Sequence, residues 1–263
     1  MIKIKSKFMI ILSIAALASF IYSIQDVAAK EDFTMELVTP RELTLANNKV
    51  AYLTFDDGPS VYTEKLLDVL NEYGVPGIFF VLGNQFENVD NPDDILNRIL
   101  NEGHFIALHS MTHDKNALYF CGDSPSRFVA EMRELKSEIQ NRTGHVTNLC
   151  RAPYGKANHF KKAHHALVGD AGLYCIDWHV DSKDWAKNCA DAVYRQVLRE
   201  MEGAVYNGET KQMEKVKDKS EIVLLFHEYQ HTVDVMPRVI EYLISEGFTF
   251  EPYIEGKHFE GLK

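Results

Sequence analysis

Short β-rich runs alternate with amphipathic helical ones along nearly the whole chain, and this alternation restricts the fold more than any other feature. Strands linked through helices lie parallel and need cover on both faces, so the pattern predicts an α/β fold built on a parallel sheet or barrel. The predicted strands are 50–55, 77–82, 105–108, 146–149, 173–180 and 222–226, with a last one over 248–252. Helices are predicted over 61–73, 92–102, 190–201 and 233–245, and the most clearly marked one begins at Ser124-Pro125. There Phe128, Met132, Leu135 and Ile139 share one face, proline stands in the first turn and Gly144 closes the helix. The later part of 202–220, rich in Lys, Glu, Gly and Asn, reads as a solvated loop with a short helical piece. The 263 residues, 46% of them hydrophobic, suffice for the core of one large domain, and no repeat or linker divides it.

The first residues read as an export signal. Lys3, Lys5 and Lys7 precede an uncharged apolar run from Phe8 to Ile24, and Val27-Ala28-Ala29 offers small residues for cleavage after Ala29. Left uncleaved, such a run also suffices to span a bilayer, for which about 17–25 apolar residues are needed, so an N-terminal anchor is the alternative. The chain therefore divides into a leader over 1–29, a polar lead-in over 30–48 and one domain over 49–263. Loss of the leader removes three lysines and Asp26, leaving the mature protein more acidic than the -10 of the full chain. That argues against nucleic acid as a partner and favours a neutral or weakly charged substrate. Cys121, Cys150, Cys175 and Cys189 are compatible with one or two disulfides outside the cytoplasm, and their spacing does not suit a zinc knuckle.

Polar groups able to do chemistry stand at the ends of the predicted strands, where parallel sheets and barrels collect their ligands. Thr54-Phe55-Asp56-Asp57-Gly58-Pro59 closes the first strand with two carboxylates and a turn. One carboxylate could hold a metal while the other moves a proton, and the pair alone does not say which is which. His109-Ser110-Met111-Thr112-His113 follows the third strand with two imidazoles four residues apart, which face one point if the segment makes a helical turn. Two imidazoles with a carboxylate such as Asp57 leave open positions for water and substrate, as a catalytic zinc site requires. Arg151-Ala152-Pro153-Tyr154-Gly155 offers a permanent charge to orient a carboxylate and a turn whose N–H groups could stabilise an oxyanion. Asp177-Trp178-His179-Val180-Asp181-Ser182-Lys183-Asp184-Trp185 combines three acids with both tryptophans, a composition suited to sugar binding. Leu224-Leu225-Phe226-His227 ends an apolar strand with a group able to donate a proton near neutral pH.

In this order, Asp-Asp-Gly-Pro, His-Ser-x-x-His, Arg-x-Pro-Tyr, Asp-x-x-Asp-Trp and Leu-x-His closely resemble the five motifs of the polysaccharide deacetylases, the NodB-like carbohydrate esterase family 4. The resemblance spans about 50–250. It implies a distorted (β/α) barrel of about seven parallel strands, a divalent metal and removal of acetyl groups from a polysaccharide. Zn2+ is the first choice of metal, with Co2+, Ni2+, Mn2+ or Fe2+ as alternatives. Position by position, it implies that Asp57, His109 and His113 hold the metal and that Asp56 is the general base, held by Arg151. It makes His227 the general acid, supported by Asp184 with Asp181 as a rival, and gives the Tyr154 N–H to an oxyanion hole. Trp185 and Leu225 match apolar walls of the acetyl pocket, with Pro153 and Asp181 also placed beside substrate. The cysteines next to Arg151 and Asp177 lie outside the general pattern, and Cys150 with Cys175 could join neighbouring strands behind the site.

The function so implied is metal-assisted hydrolysis by an exported monomer located outside the cell, in its wall or in a periplasm. Membrane contact would come only through the leader. With the export signal, peptidoglycan at its N-acetylglucosamine residues is the first substrate expected. Chitin oligosaccharides, N-acetylmuramic acid, poly-N-acetylglucosamine and acetylxylan stay open, because the loops that choose among them are not legible. A reading of another class is an exported carbohydrate-binding protein that uses Trp178 and Trp185 as sugar platforms.

Overall fold

The computed structural model describes residues 49–207, 210–259 and 262, so the expected leader and lead-in lie outside the described residues. In chain order the elements are β1 (Lys49–Gly58), α1 (Thr63–Tyr73), β2 (Gly77–Leu82), α2 (Pro92–Asn101), β3 (Phe105–Ser110), α3 (Ser124–Thr143), β4 (Leu149–Cys150) and α4 (Lys162–Asp170). There follow β5 (Tyr174–Cys175), β6 (Val180–Asp181), α5 (Ala190–Met201), β7 (Ala204–Asn207), β8 (Gln212–Lys215), β9 (Glu221–His227), α6 (Gln230–Ser245) and β10 (Phe248–Thr249). Seven strands make one curled path in the order β5-β4-β3-β2-β1-β9-β6, and every pairing in it is parallel. β10 pairs with the first residues of β1. This is the expected distorted barrel, left open between β5 and β6.

That opening corrects one expectation. Residues 173–180, expected as a single strand, break into two short strands that pair at opposite edges of the sheet. Ile176 donates its N–H to Cys150 on one side, and His179 donates to Val223 on the other. Two strands adjacent in sequence cannot pair in parallel without a crossover, so the segment runs across the gap instead and closes the mouth by itself.

Strand periodicity then sorts the side chains. In β1, Ala51, Leu53 and Phe55 join the core shared with the helices, whereas Tyr52 joins the smaller cluster inside the barrel. The same alternation puts Ile78 and Phe80 of β2, Ala107 of β3, Leu149 of β4 and Val223 of β9 inside, with Phe79, Ile106, Cys150 and Leu224 outside. Counting on by twos, Asp56, His109, Arg151 and His227 fall on the inner face at the carboxyl ends of their strands. β1 is the central element, with β9 along one edge from Val50 to Asp56 and β2 along the other from Leu53. Its Phe55 ring stacks on Phe79 at 5.0 Å and lies 6.1 Å from Phe226, joining three adjacent strands beneath the helices.

Further differences concern short or polar segments. The last strand ends at Thr249, and the chain beyond it plugs the lower end of the barrel, with Phe259 4.9 Å from Tyr52 and Tyr253 4.6 Å from Phe105. The stretch expected as a loop forms the antiparallel hairpin β7–β8 before a one-turn helix, Val216–Asp218. The Asn207-Gly208 dipeptide, a hairpin signal, was the available clue. Helix α4 was not anticipated. Cys150 and Cys175 do lie opposite each other on β4 and β5, but all four cysteines are free thiols, so the suggested bridge is absent. No helix among the described residues is long and apolar enough to cross a membrane.

Removing the aromatic ring at the centre of this sheet should open a cavity that rigid strands cannot fill. Phe55→Ala is expected to lower unfolding free energy by about 3–5 kcal/mol, read from denaturant midpoints at unchanged slope.

Candidate active site

The inner-face residues surround a cleft of about 390 Å³ at the carboxyl ends of the strands, lined by Asp56, Asp57, His109, His113, Tyr154, Trp178, Asp181, Trp185, Leu225 and His227 among others. β1 presents Asp56 inward, and the next residue would point outward were the strand regular there, but its pairing with β2 slips between Asp56 and Gly58. Instead Asp57 turns left-handed, with φ 69°, and brings its carboxylate to the same cleft. His109 ends β3 on the inner face, but no helical turn follows it. A loop with Ser110 at φ 123° and His113 at φ 57° returns the second imidazole, and the Ser110 hydroxyl accepts the His113 N–H at 2.9 Å. Buried Glu131 of α3 accepts both the N–H and the hydroxyl of Thr112, pinning the loop between the two histidines.

Asp57 Oδ1 lies 3.4 Å from Nε2 of His109 and 3.4 Å from Nε2 of His113. It is buried without a hydrogen-bond partner. Three atoms bound at about 2.0–2.1 Å to one tetrahedral zinc would stand about 3.3 Å apart, so spacing and orphaned oxygen both fit a cation. The Arg151 carbonyl accepts a hydrogen bond from His109 Nδ1 at 3.0 Å, which leaves Nε2 free as a ligand. Burial by itself would raise the pKa of Asp57. His109, and behind it His113 and His227, overcome that and hold the carboxyl well below the usual range.

Asp56 is held apart from this cluster. Arg151, fully buried, donates from Nη1 to Asp56 Oδ1 at 2.7 Å and to Thr54 Oγ1 at 2.7 Å, and from Nη2 to the Asp177 carbonyl at 3.2 Å. Its guanidinium lies over the Phe80 ring at 4.1 Å, with Trp178 at 5.7 Å. The other oxygen, Asp56 Oδ2, faces His109 Nε2 at 3.7 Å and so stays turned toward the three-ligand point.

On the opposite wall His227 pairs with Asp184, not Asp181. Asp184 Oδ1 accepts from His227 Nδ1 at 2.7 Å, while Oδ2 accepts the His227 N–H at 2.6 Å and the Thr232 hydroxyl at 2.8 Å. Asp181 instead accepts the Lys183 N–H at 2.9 Å and lines the cleft. Burial lowers the pKa of His227, but the Asp184 contact and the charges of Asp184, Asp56 and Asp57 raise it to about 9. His227 Nε2 stands 4.0 Å from Asp57 Oδ2.

The remaining sequence expectations divide. Trp185 and Leu225 line the cleft. Tyr154 does too, in a left-handed turn with φ 65°, and no acceptor takes its N–H among the described residues. Pro153 does not line it; the residue is buried, and its carbonyl accepts the Tyr119 hydroxyl at 2.8 Å. Ala152 and Gly155 line the cleft without having been predicted to, and Trp178, expected there only as a sugar platform of a binding protein, lines it too. A side chain at Gly155 would begin 2.9 Å from the Trp178 ring, so glycine permits the close approach that carries the Tyr154 turn over the indole.

Because the folded pKa of His227 lies above its ordinary 6.5, the ion pair's contribution to folding is complete below about pH 6.5 and is lost as pH rises through about 9. An NMR titration of the metal-free protein should place the His227 imidazole near 9, and Asp184→Asn should move it well down toward or below 6.5. An unmoved titration in that variant would show that Asp184 is not the cause.

Comparison with known proteins agrees with this geometry. The model of the polysaccharide deacetylase family matches residues 45–175. A peptidoglycan-N-acetylglucosamine deacetylase of Bacillus cereus is 32% identical over 277 aligned residues, which cover 98% of this chain and 95% of the relative. A chitooligosaccharide deacetylase of Bradyrhizobium is 33% identical over 59% of this chain and 67% of its own length. Among solved structures, a polysaccharide deacetylase from Bacillus cereus superposes with a TM-score of 0.67 at 33% identity, covering 80% of this chain and 95% of that one.

Proposed function

The chain belongs to the polysaccharide deacetylase family, and on that premise we propose that it is an exported, metal-dependent N-deacetylase acting as a monomer on the N-acetylglucosamine residues of peptidoglycan. One observation carries the reading: within a single cleft, Asp57 meets two imidazoles, while Asp56 on Arg151 and His227 on Asp184 flank that point. The peptidoglycan substrate is supported by the Bacillus cereus relative, whose match runs along nearly its whole length. Export is supported by the lysine-led apolar segment at the N-terminus.

A divalent cation held by Asp57, His109 and His113, taken here as Zn2+, would supply Lewis acidity for the acetamide carbonyl and lower the pKa of a water ligand. Asp56, with one oxygen tied to Arg151, uses its free oxygen to take a proton from the attacking water. The Tyr154 N–H, without an acceptor among the described residues, would donate to the oxyanion that develops on the carbonyl oxygen. His227 is protonated near neutral pH and gives its proton to the departing amine nitrogen, while Asp184 holds the ring by Nδ1 and stabilises its positive charge. The acid therefore starts in the protonated state that its role requires. Trp185 and Leu225 form apolar walls suited to the acetyl methyl group.

Asp56→Asn should bind Zn2+ as the parent does and lose at least a hundredfold in acetate release, whereas His113→Ala should lose Zn2+ itself, as measured by metal analysis after dialysis. Acetate released from peptidoglycan, chitopentaose and acetylxylan, with and without chelator, tests the substrate. Preference for peptidoglycan is expected; no release from any substrate by metal-loaded protein would favour a carbohydrate-binding role instead.

A further inference from the structure

We propose that Glu228 is a positioning residue of this site, a buried clamp that holds the Asp57–Ser60 turn in place against His227. The inference rests on the reading that Asp57 holds a cation. Glu228 directly follows His227 yet turns away from the cleft: it is 6% exposed and does not line the pocket. Its Oε2 accepts three hydrogen bonds from the segment after Asp57, from the Ser60 N–H at 3.0 Å, the Ser60 hydroxyl at 2.7 Å and the Thr63 hydroxyl at 2.5 Å. Its Oε1 is buried with no partner and presses on Gly58, where an added Cβ would stand only 2.0 Å away. The carboxylate therefore fills the space beneath the turn and excludes any side chain at 58.

The strain of that turn gives the clamp its purpose. Asp57 adopts a left-handed conformation that is uncommon outside glycine, although Asp enters it more readily than most residues, and its surroundings help to hold it there. The side-chain hydrogen bonds that tie Ser60 and Thr63 to a distant part of the chain all end on Glu228. Because Glu228 is bonded covalently to His227, one residue joins the turn after the proposed ligand, at the end of β1, to the end of β9 that bears the proposed acid. The parallel pairing that sets Asp56 opposite His227 brings these two strand ends together, and Asp57 Oδ2 stands 4.0 Å from His227 Nε2.

The test compares Glu228→Ala with Glu228→Gln, which keeps a carbonyl acceptor for Ser60 and Thr63. Metal-free protein is titrated with Co2+ and followed by its visible absorbance, which needs no sugar substrate; kcat and KM for acetate release are measured separately. Glu228→Ala should bind Co2+ at least about tenfold more weakly and lose at least about tenfold in kcat with KM within about twofold, while Glu228→Gln should recover both to within about threefold. If Glu228→Ala does not fold, Thr63→Val removes one of the three donors and should weaken Co2+ binding at least about twofold. A folded Glu228→Ala, or a Thr63→Val, with Co2+ affinity equal to the parent's would overturn the proposal. A parent that binds Co2+ but releases no acetate would sink the deacetylase reading and leave the clamp standing; a parent that binds no Co2+ would sink both.

Discussion

The buried pair of Arg151 and Asp56 is the interaction on which the rest of the cleft depends. A guanidinium with no exposure to solvent is unfavourable unless its charge is matched and its donors are used. Here one carboxylate, one hydroxyl, one carbonyl and the face of Phe80 meet it, and only Nε lacks a partner. The pairing also fixes chemistry. Asp56 cannot swing away to become an ordinary metal ligand without leaving that charge unpaired inside the barrel. The neighbouring Asp57 turns to the two histidines instead, and two adjacent carboxylates acquire different surroundings from one buried cation.

Around this pair the site is assembled by strand alternation and then finished by strain. The inner faces of β1, β3, β9 and the residue after β4 deliver Asp56, His109, His227 and Arg151 without any unusual backbone. Leu225 and Asp181 also come from strands, while several of the remaining residues of the cleft come from strand ends and loops where the backbone is unusual. Asp57, His113 and Tyr154 all take positive φ, and Ser110 and Lys183 do so beside His109 and Asp184. Such conformations cost free energy and gather where geometry matters more than stability. Buried carboxylates oppose the strain from below, Glu131 under the histidine loop and Glu228 under the Asp57 turn.

Much of this was legible in advance, for a physical reason. β2 was predicted to the residue because a run of buried apolar side chains between Pro76 and Gly83 reads as a strand, and α3 because its first-turn proline and closing glycine agree with its apolar face. The failures share a cause as well. Residues 173–180 have the composition of a strand, but their pairing depends on how far the sheet curls. Pro153 sits within a matched motif and yet lies buried outside the cleft lining, its carbonyl held by the Tyr119 hydroxyl, because a motif does not say which of its residues reach the cleft. Trp178 was weighed only as a sugar platform, though it both lines the cleft and stacks near Arg151.

The sequence by itself determined the parallel sheet, the order of its elements and the residue types that end each strand, since periodicity, caps and motif spacing are local properties of the chain. It also determined the family. Only the tertiary structure decided that Asp184 and not Asp181 supports His227, and that Glu228 ties the turn ending β1 to the end of β9. Each of these choices turns on an ångström-scale contact between segments far apart in sequence. Such contacts exist only once the sheet has curled and its turns have been strained into place.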